Sequence, residues 1–598
     1  MNNLRPWQIL GTLPAPRLSD PSEGGDPLYF YNNFLHPLIP DTIKMMNTGL
    51  HIDHRAVESL RRTVEKVLAK VSKRLNRNAL IKGYQERRAV KLQKKHVAES
   101  TAKVRKKSHY VDEYNEKNIQ HRTWVVNTFL KENGHKSYTV DKWTVKALKD
   151  VNIFLRESFI DNVIAKEVDT KNPKVLRGMD KLADYKLELW NRPRYDKANT
   201  AVTVPDFNPG SAIQKQELFK LLEVEPLALS DTTGEGSWGR DQIEALLETT
   251  KDEKLIDVLE AMVDHSYGGI INNTFLPAFD KFTVDGVLHG SIKLFGAKSC
   301  RPTSKSPNML NMPSTGSIYA KPLKKCFIAP DGYVVYAIDF AALEDRVLAN
   351  LSGDVNKIKI FTDNLDGHSV SAVFYEPDKA KGIVGEFTDP VKAAIELKKL
   401  VNSGDVGAGE FRQYHKGTTF KLSYGGYPDD DKGGIITQDI FDRYHNELYP
   451  GITDYRENYV LKSAKRNSYI HLGLGCRIYT SEPDDEIRTL HNATCQFWSI
   501  LTQIAVNELN YRSEAKGIEN DVRVHATIYD SVYIYVKKDA ETIKWVNDNI
   551  VEIMQKDFMV DQVVPNDAVG EIGKSWAELS EVPQQATLEE IENILEEL

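Results

Sequence analysis

YVVYAIDFAALEDRVLANLSGD, residues 333–354, is the stretch that decides the fold. Val334, Val335, Tyr336, Ala337 and Ile338 form an unbroken run of β-branched, aromatic and small residues. That composition suits a strand covered on both faces, and the spacing after it changes to that of a helix. Asp339 ends the run. An unpaired buried charge is costly, so such a carboxylate neutralises, finds a partner or binds a metal. Two readings stand at this point: Asp339 caps the helix that follows, or it belongs to a charged site at the end of a sheet.

The rest of the chain narrows the choice. At 598 residues it is too long for one core and divides into about three or four domains or subdomains. Hydrophobic residues make up 41% and charged residues 27%, an ordinary soluble composition with no apolar window long enough for a membrane span and no signal pattern at MNNLRPWQILG. The four cysteines, Cys300, Cys326, Cys476 and Cys495, have no CxxC spacing, which argues against a zinc site or disulfide framework and for a reducing cytoplasm. The net charge of -7 hides an asymmetry. Residues 51–130 hold about 20 Lys and Arg against about 8 Asp and Glu, in a helical pattern of apolar positions spaced by three and four. A basic helical stretch of this length is expected to face a polyanion, which points to nucleic acid.

Two later segments answer Asp339. In FRQYHKGTTFKLSYGG, residues 411–426, Arg412, Lys416, Phe420 and Tyr424 recur every fourth position and share one helix face. Such a face can hold a triphosphate with its cations and offer rings to a base and sugar, or it can pack its rings on a core while the cations reach solvent. VRVHATIYDSVYIYV, residues 522–536, reads as two alternating strands joined by a tight turn at Tyr529, Asp530 and Ser531. Asp530 is either an ordinary turn residue or a second carboxylate facing Asp339. Such a pair can hold two divalent ions about 3.5 to 4 Å apart, the arrangement suited to in-line phosphoryl transfer.

In this order and with these residue types, the three segments resemble motifs A, B and C of family A DNA polymerases, the bacterial polymerase I type. CRPTSKSPNMLNMPS at 300–314 is similar to the family's primer-gripping stretch, DGHSVSAVF at 366–374 to the segment whose His contacts the triphosphate, and FDRYHNELYPGITDYREN to the fingers beyond motif B. PLIPDTIKMMNTGLHID, FNPGSAIQ, DTTGEGS and VGEIGKSW extend the likeness from about 37 to 577. The resemblance implies an α+β, right-hand polymerase fold with an antiparallel-sheet palm and mostly helical thumb and fingers. Its expected divisions are an arm at 1–40, a thumb at 41–265, palm at 266–354 and 476–577, fingers at 355–475 and an acidic amphipathic tail at 578–598. It implies that Asp339, Asp530 and the carbonyl of Phe340 hold two Mg2+ ions. Arg412, Lys416 and His368 would neutralise the triphosphate, with Lys416 counted among the catalytic groups. Phe420 would stack on the nucleotide, Tyr424 would sit near the template base, and Glu344 would fill the space of a ribose 2'-hydroxyl. Arg301, Asn308, Asn311, Arg488, Asn492 and Gln496 would touch primer and template. The implied activity is template-directed addition of deoxynucleoside triphosphates to a primer 3'-hydroxyl with release of pyrophosphate, on primer-template DNA, in DNA replication.

Departures from the family pattern carry expectations of their own. The triplet Tyr529, Asp530, Ser531 stands where His-Asp-Glu is common, and Phe340, Ala341, Ala342 where Tyr, Ser and Gln are usual. Only about 40 residues precede the thumb-like region, so the chain is expected to lack the family's 3'-5' exonuclease, with proofreading absent or supplied by a separate exonuclease or replication factor, in the manner of a bacteriophage member acting in the host cytoplasm. An added stretch at 376–410 has no readable role. The competing activities are a single-subunit RNA polymerase, against which Glu344 argues, and an inactive nucleic-acid-binding replication scaffold. In QQATLEEIENILEEL, Thr587 and Glu590 make a capping box, and Leu588, Ile591, Leu595 and Leu598 share one face. This tail is expected to be a separable partner-binding helix.

Overall fold

The computed structural model describes residues 4–13, 26–112, 202–227, 234–313, 318–428 and 436–598. The Pro- and Gly-rich arm at 14–25, the basic segment beyond 112 and the first residues of DTTGEGS, 231–233, lie outside the described residues. The chain divides into two compact units, one made of residues 1–71, 225–249 and 260–598, the other of 72–224 and 250–259.

The first unit is built on a five-stranded antiparallel sheet. Its strands are β1 (Tyr333–Phe340), β2 (Val522–Ile528), β3 (Ser531–Lys537), β4 (Ala568–Ser575) and β5 (Glu578–Val582), in the order β5-β4-β1-β3-β2. The apolar run expected to be a doubly covered strand is β1, and it lies at the centre, between β4 and β3. Period-two alternation divides its side chains between two cores. Val334, Tyr336, Ile338 and Phe340 face the larger one, while Val335 joins Tyr535, Phe327 and Trp576 in the other. Tyr336 donates a hydrogen bond to Asn547 at 2.6 Å. Strand β4 passes so close to this tyrosine that a Cβ at Gly570 would lie 2.2 Å from its hydroxyl, which explains a glycine in mid-strand.

Helices frame the open end of the sheet. They are α1 (Leu343–Ser352), α2 (Gly367–Tyr375), α3 (Pro390–Asn402), α4 (Val406–Ser423), α5 (Pro483–Gln496) and α6 (Ile500–Lys516). The added stretch 376–410 comprises the helix Pro377–Val384, α3 and the first turn of α4. It packs through α3 on both α2 and α4. Asp339 does not cap α1. The N-cap is Ala342, held in the left-handed region at φ 55° and ψ 48°, so the first reading of Asp339 falls away.

The C-terminal helix corrects another expectation. Helix α7 (Ala540–Gln555) is covered by α8 (Leu588–Glu597), which has the expected capping box between Thr587 and Glu590. Ile591 is fully buried, and Ile594, Leu595 and Leu598 pack on the main core. The apolar face read as a docking surface is therefore occupied by the chain itself, and only Leu588 remains exposed.

The described part of the basic segment is helical, as its spacing predicts, and from Ser72 on it belongs to the second unit. The helices His54–Arg77 and Ala79–Asp112 are separated at Asn78, whose side chain donates to Asp257 at 2.8 Å and accepts from the Leu80 N–H at 2.9 Å. Arg74 bonds the same aspartate at 2.6 Å. Lys73, Arg77, Lys82, Arg87 and Lys94 are exposed. Among the described residues no helix is long and apolar enough to cross a membrane.

Because α8 is a packed part of the first unit, Ile591→Ala should lower the unfolding free energy by about 2–5 kcal/mol, the usual cost of emptying an aliphatic site. Denaturant unfolding of the two proteins measures it; a change below about 0.5 kcal/mol would mean the helix is held loosely.

Candidate active site

The hairpin β2–β3 turns through Tyr529 and Asp530, with Tyr529 at φ 50°. Its register on β1 sets Ser531 opposite Asp339. Beyond the last pair, the Phe340 N–H donates to the Asp530 carbonyl at 3.2 Å. These contacts bring Asp339 and Asp530, 191 positions apart in sequence, to one strand end. Ser531 Oγ donates to Asp339 Oδ1 at 2.6 Å, so the serine that departs from the family triplet holds the first carboxylate. Thr502 on α6 fixes the turn from below by donating to the Tyr529 carbonyl at 3.1 Å.

The electrostatics of the pair are unfavourable for two bare carboxylates. Burial, and then the charge of Asp339, push Asp530 up to about 6, against the opposing pull of Arg301. Its Oδ1 is buried without a hydrogen-bond partner. Asp339 reaches solvent, yet it too is raised by loss of water around it, an effect reduced by the Ser531 bond and by Lys324. Among the described residues no cluster of three or more His, Cys, Asp or Glu is gathered anywhere, so two carboxylates are what this strand end offers.

Helix α4 presents Arg412, Lys416, Phe420 and Tyr424 along one side, as their spacing predicts. The rings of Phe420 and Tyr424 lie nearly parallel at 6.4 Å, and the Lys416 ammonium is 5.9 Å from the Phe420 ring. His368 on α2 stands 5.5 Å from the same ring. Burial, then the charges of Arg412 and Lys416, lower His368 to about 4, so it is neutral at pH 7 and can donate one N–H without charge. Arg412 is not loose. It forms a two-pronged ion pair with Asp366, Nε to Oδ2 at 2.7 Å and Nη2 to Oδ1 at 2.6 Å.

Between Asp530 and the C-terminal end of α4 lies a cavity of about 230 Å³, lined among others by Glu344, His368, Phe420, Tyr424 and Asn492; Asp339, Arg412 and Lys416 are not in its lining. Glu344 is held inside it from two directions, by an ion pair with Arg301 and by the Tyr424 hydroxyl, which donates at 2.7 Å. Arg301 also lies over the Tyr529 ring, 5.0 Å from its centroid. On α5, Arg488 and Asn492 donate to the Tyr424 carbonyl at 3.0 and 3.4 Å and so hold the end of α4. Gln496 continues the i, i+4 row one turn further and does not line the cavity. Asn308 also lies outside the lining and has a buried side-chain oxygen without a partner. Asn311 lies on the short turn Met309–Asn311, and its side chain is outside the described residues.

Sequence reasoning missed Asp366 and the roles of Ser531 and Arg301 in holding other side chains. Asp366 carried a signal, because an Asp three residues before Ser369 and ahead of an apolar helix marks an N-cap. Nothing local marked its pairing with Arg412.

The sequence is similar to that of known DNA polymerases. Residues 179–380 match the model of DNA polymerase family A. A thermostable DNA polymerase I of Thermus filiformis is 23% identical over 390 residues, covering 62% of this chain and 42% of that protein. The DNA polymerase of Mycobacterium phage D29 is 29% identical over 257 residues, covering 43% of this chain and 37% of the phage protein. The chain thus spans less than half the length of these relatives. Among solved structures, the POL domain of Pol1 from M. smegmatis, in complex with DNA primer-template and dNTP, superposes with a TM-score of 0.49 at 17% identity, over 76% of this chain and 81% of that one. Over residues 179–380 the chain is thus similar to the DNA polymerases of family A.

The raised pKa of Asp530 gives a stability test with a definite sign. A carboxylate that folding makes harder to ionise costs stability only where it is charged. The cost is absent below about pH 4, near the unfolded value, and is complete above about 6. In metal-free buffer Asp530→Asn should therefore stabilise the protein by on the order of 1–3 kcal/mol at pH 8 and by nothing measurable at pH 3.5. Urea unfolding at the two pH values decides; an equal effect at both would show that the carboxylate is not held in this environment.

Proposed function

We propose that this chain is a template-directed DNA polymerase that adds deoxynucleotides to a primer 3'-hydroxyl with loss of pyrophosphate. The observation that carries the proposal is the junction of Asp339 and Asp530 at one strand end, beside a cavity whose opposite wall is α4. The donor set suits Mg2+: Asp530 has a buried oxygen without a partner, and burial and then the charge of Asp339 raise its proton affinity, a penalty that bound cations would remove. Asp339, Asp530 and the Phe340 carbonyl would hold the metal, which when bound lowers the pKa of the attacking hydroxyl and neutralises the departing phosphates.

The remaining roles belong to the chain's own side chains. Arg412 and Lys416 present positive charge to the triphosphate, and neutral His368 adds a hydrogen-bond donor. Phe420 offers its face to the nucleotide sugar and base. Glu344, fixed by Arg301 and Tyr424, occupies the part of the cavity that a 2'-hydroxyl would need, which supports deoxynucleotide over ribonucleotide use. In this reading the five-stranded sheet is the palm, α2 to α4 belong to the fingers, and the basic helices of the second unit act as the thumb, gripping duplex phosphates without regard to sequence.

Asp339→Ala and Asp530→Ala should each abolish primer extension while leaving duplex affinity within about twofold, since the carboxylates serve the chemistry and the basic helices serve binding. Extension on a primed template with Mg2+ and fluorescence anisotropy on the same duplex measure the two quantities. Substantial synthesis by either variant would remove the carboxylates from the mechanism.

Phe420 generates a test of nucleotide placement. A nucleotide's own 3'-hydroxyl can satisfy a phosphate oxygen in a closed site, and a dideoxynucleotide leaves that oxygen without its donor, a loss of about 1.5–3 kcal/mol or roughly one to two orders of magnitude in incorporation. Phe420→Tyr should restore a donor and reduce the discrimination by a similar factor. The ratio of incorporation efficiencies for the two nucleotides reads it directly, and an unmoved ratio would mean that Phe420 does not face the sugar.

A further inference from the structure

We propose that Asp366 is a positioning residue for nucleotide binding: its carboxylate holds Arg412 in the orientation in which the guanidinium meets the incoming triphosphate. The proposal rests on the polymerase reading above; it gives a role to Asp366, the first residue of DGHSVSAVF, to which that reading assigned none, and brings in the added stretch 376–410.

Asp366 is built into the site rather than resting on it. It is the N-cap of α2, accepting from the Ser369 N–H at 2.9 Å and the Ser369 hydroxyl at 2.5 Å. The same Oδ2 takes Arg412 Nε, and Oδ1 takes Nη2. Both side chains are largely enclosed, at 18% and 17% exposure. Lys398, on α3 within the added stretch, brings a second cation to 4.0 Å from Oδ1. Among the described residues, Asp366 is the carboxylate that fixes the head of Arg412.

The chemistry of the fork explains why this pairing aims the arginine instead of using it up. A guanidinium carries five N–H donors in one plane. Asp366 engages one edge, through Nε and one terminal nitrogen, and leaves donors on the outer edge available for phosphate oxygens. A free arginine would lose rotamer entropy when it gripped a nucleotide, and an arginine already held loses much less. Placement of Asp366 at the start of α2 also ties the arginine to the helix that carries His368, two residues on, whose ring stands beside Phe420. Helix α3 packs behind both α2 and α4, and Lys398 counterbalances the Asp366 charge from that side.

Asp366→Asn is the informative variant. Asparagine still accepts from the Ser369 N–H and keeps the cap, but it turns an N–H2 group against the guanidinium and breaks the two-pronged pair. The expected result is a rise of about tenfold in the KM for deoxynucleoside triphosphate, with kcat at saturation within about twofold. The dissociation constant of a nonhydrolysable deoxynucleotide on the enzyme–primer–template complex should rise in parallel, and the unfolding midpoint should stay close to wild type. Arg412→Ala should raise KM at least as much, and Asp366→Asn should add nothing in that background, because Asp366 acts through Arg412. Arg412→Lys, whose ammonium cannot be held by two prongs, should match Asp366→Asn and serves if the asparagine variant does not fold. A lower KM in Asp366→Asn would overturn the proposal, since the pair would then be a restraint that nucleotide must break. An unchanged KM there, with a raised KM in Arg412→Ala, would overturn it as well and leave the polymerase reading standing. If Arg412→Ala leaves nucleotide binding untouched, the assignment of α4 to the triphosphate fails and the role of Asp366 falls with it.

Discussion

The antiparallel register between β1 and β3 is the constraint on which the site depends. It sets Ser531 against Asp339 and closes with the hydrogen bond from Phe340 to the Asp530 carbonyl. A slip of one residue would turn Asp339 and its neighbours to the opposite faces of the sheet and separate the two carboxylates. The register is secured by burial: Val334, Tyr336 and Ile338 on one face and Val335 on the other are all buried, so neither face tolerates the exchange. The large apolar strand pair is in this sense the support for two small charged groups at its tip.

Charge is arranged around that tip in opposed layers. Asp339 and Asp530 form the anionic layer; burial raises both, and the charge of Asp339 raises Asp530 further. Arg412 and Lys416 form a cationic layer on α4, with Arg301 between the layers, bound to Glu344. On the proposed reading, a triphosphate with its metal ions would carry the charge that complements both layers at once. The ties from Glu344 to Tyr424 and from Arg412 to Asp366 keep these groups in place by hydrogen bonds to partners from other elements.

Much of this was legible in the sequence, for reasons that differ by element. The apolar run before Asp339 and the alternation around Asp530 mark strands because their burial pattern is local. The four-residue spacing of Arg412, Lys416, Phe420 and Tyr424 marks one side of a helix for the same reason. What periodicity does not carry is the identity of the group opposite. The Asp366–Arg412 pair joins residues 46 apart, and the Ser531–Asp339 bond joins residues 192 apart. Both exist only once the fold has formed. The tail shows the same boundary: the amphipathic pattern about Ile591 was readable, but whether the apolar face awaited a partner or met α7 was not. Ala342 is a further case, since a left-handed alanine at a helix start has no sequence signature.

Counting bound divalent ions tests the central claim most directly, because the claim is that Asp339 and Asp530 form one site. Manganese binding to the chain on primer-template, followed by electron paramagnetic resonance, reports occupancy without requiring turnover. The account expects the wild-type complex to bind manganese at this site in the presence of nucleotide, and expects Asp339→Asn and Asp530→Asn each to weaken the whole of that binding rather than half of it. Unchanged manganese binding in either variant, or losses that simply add in the double variant, would contradict a shared site.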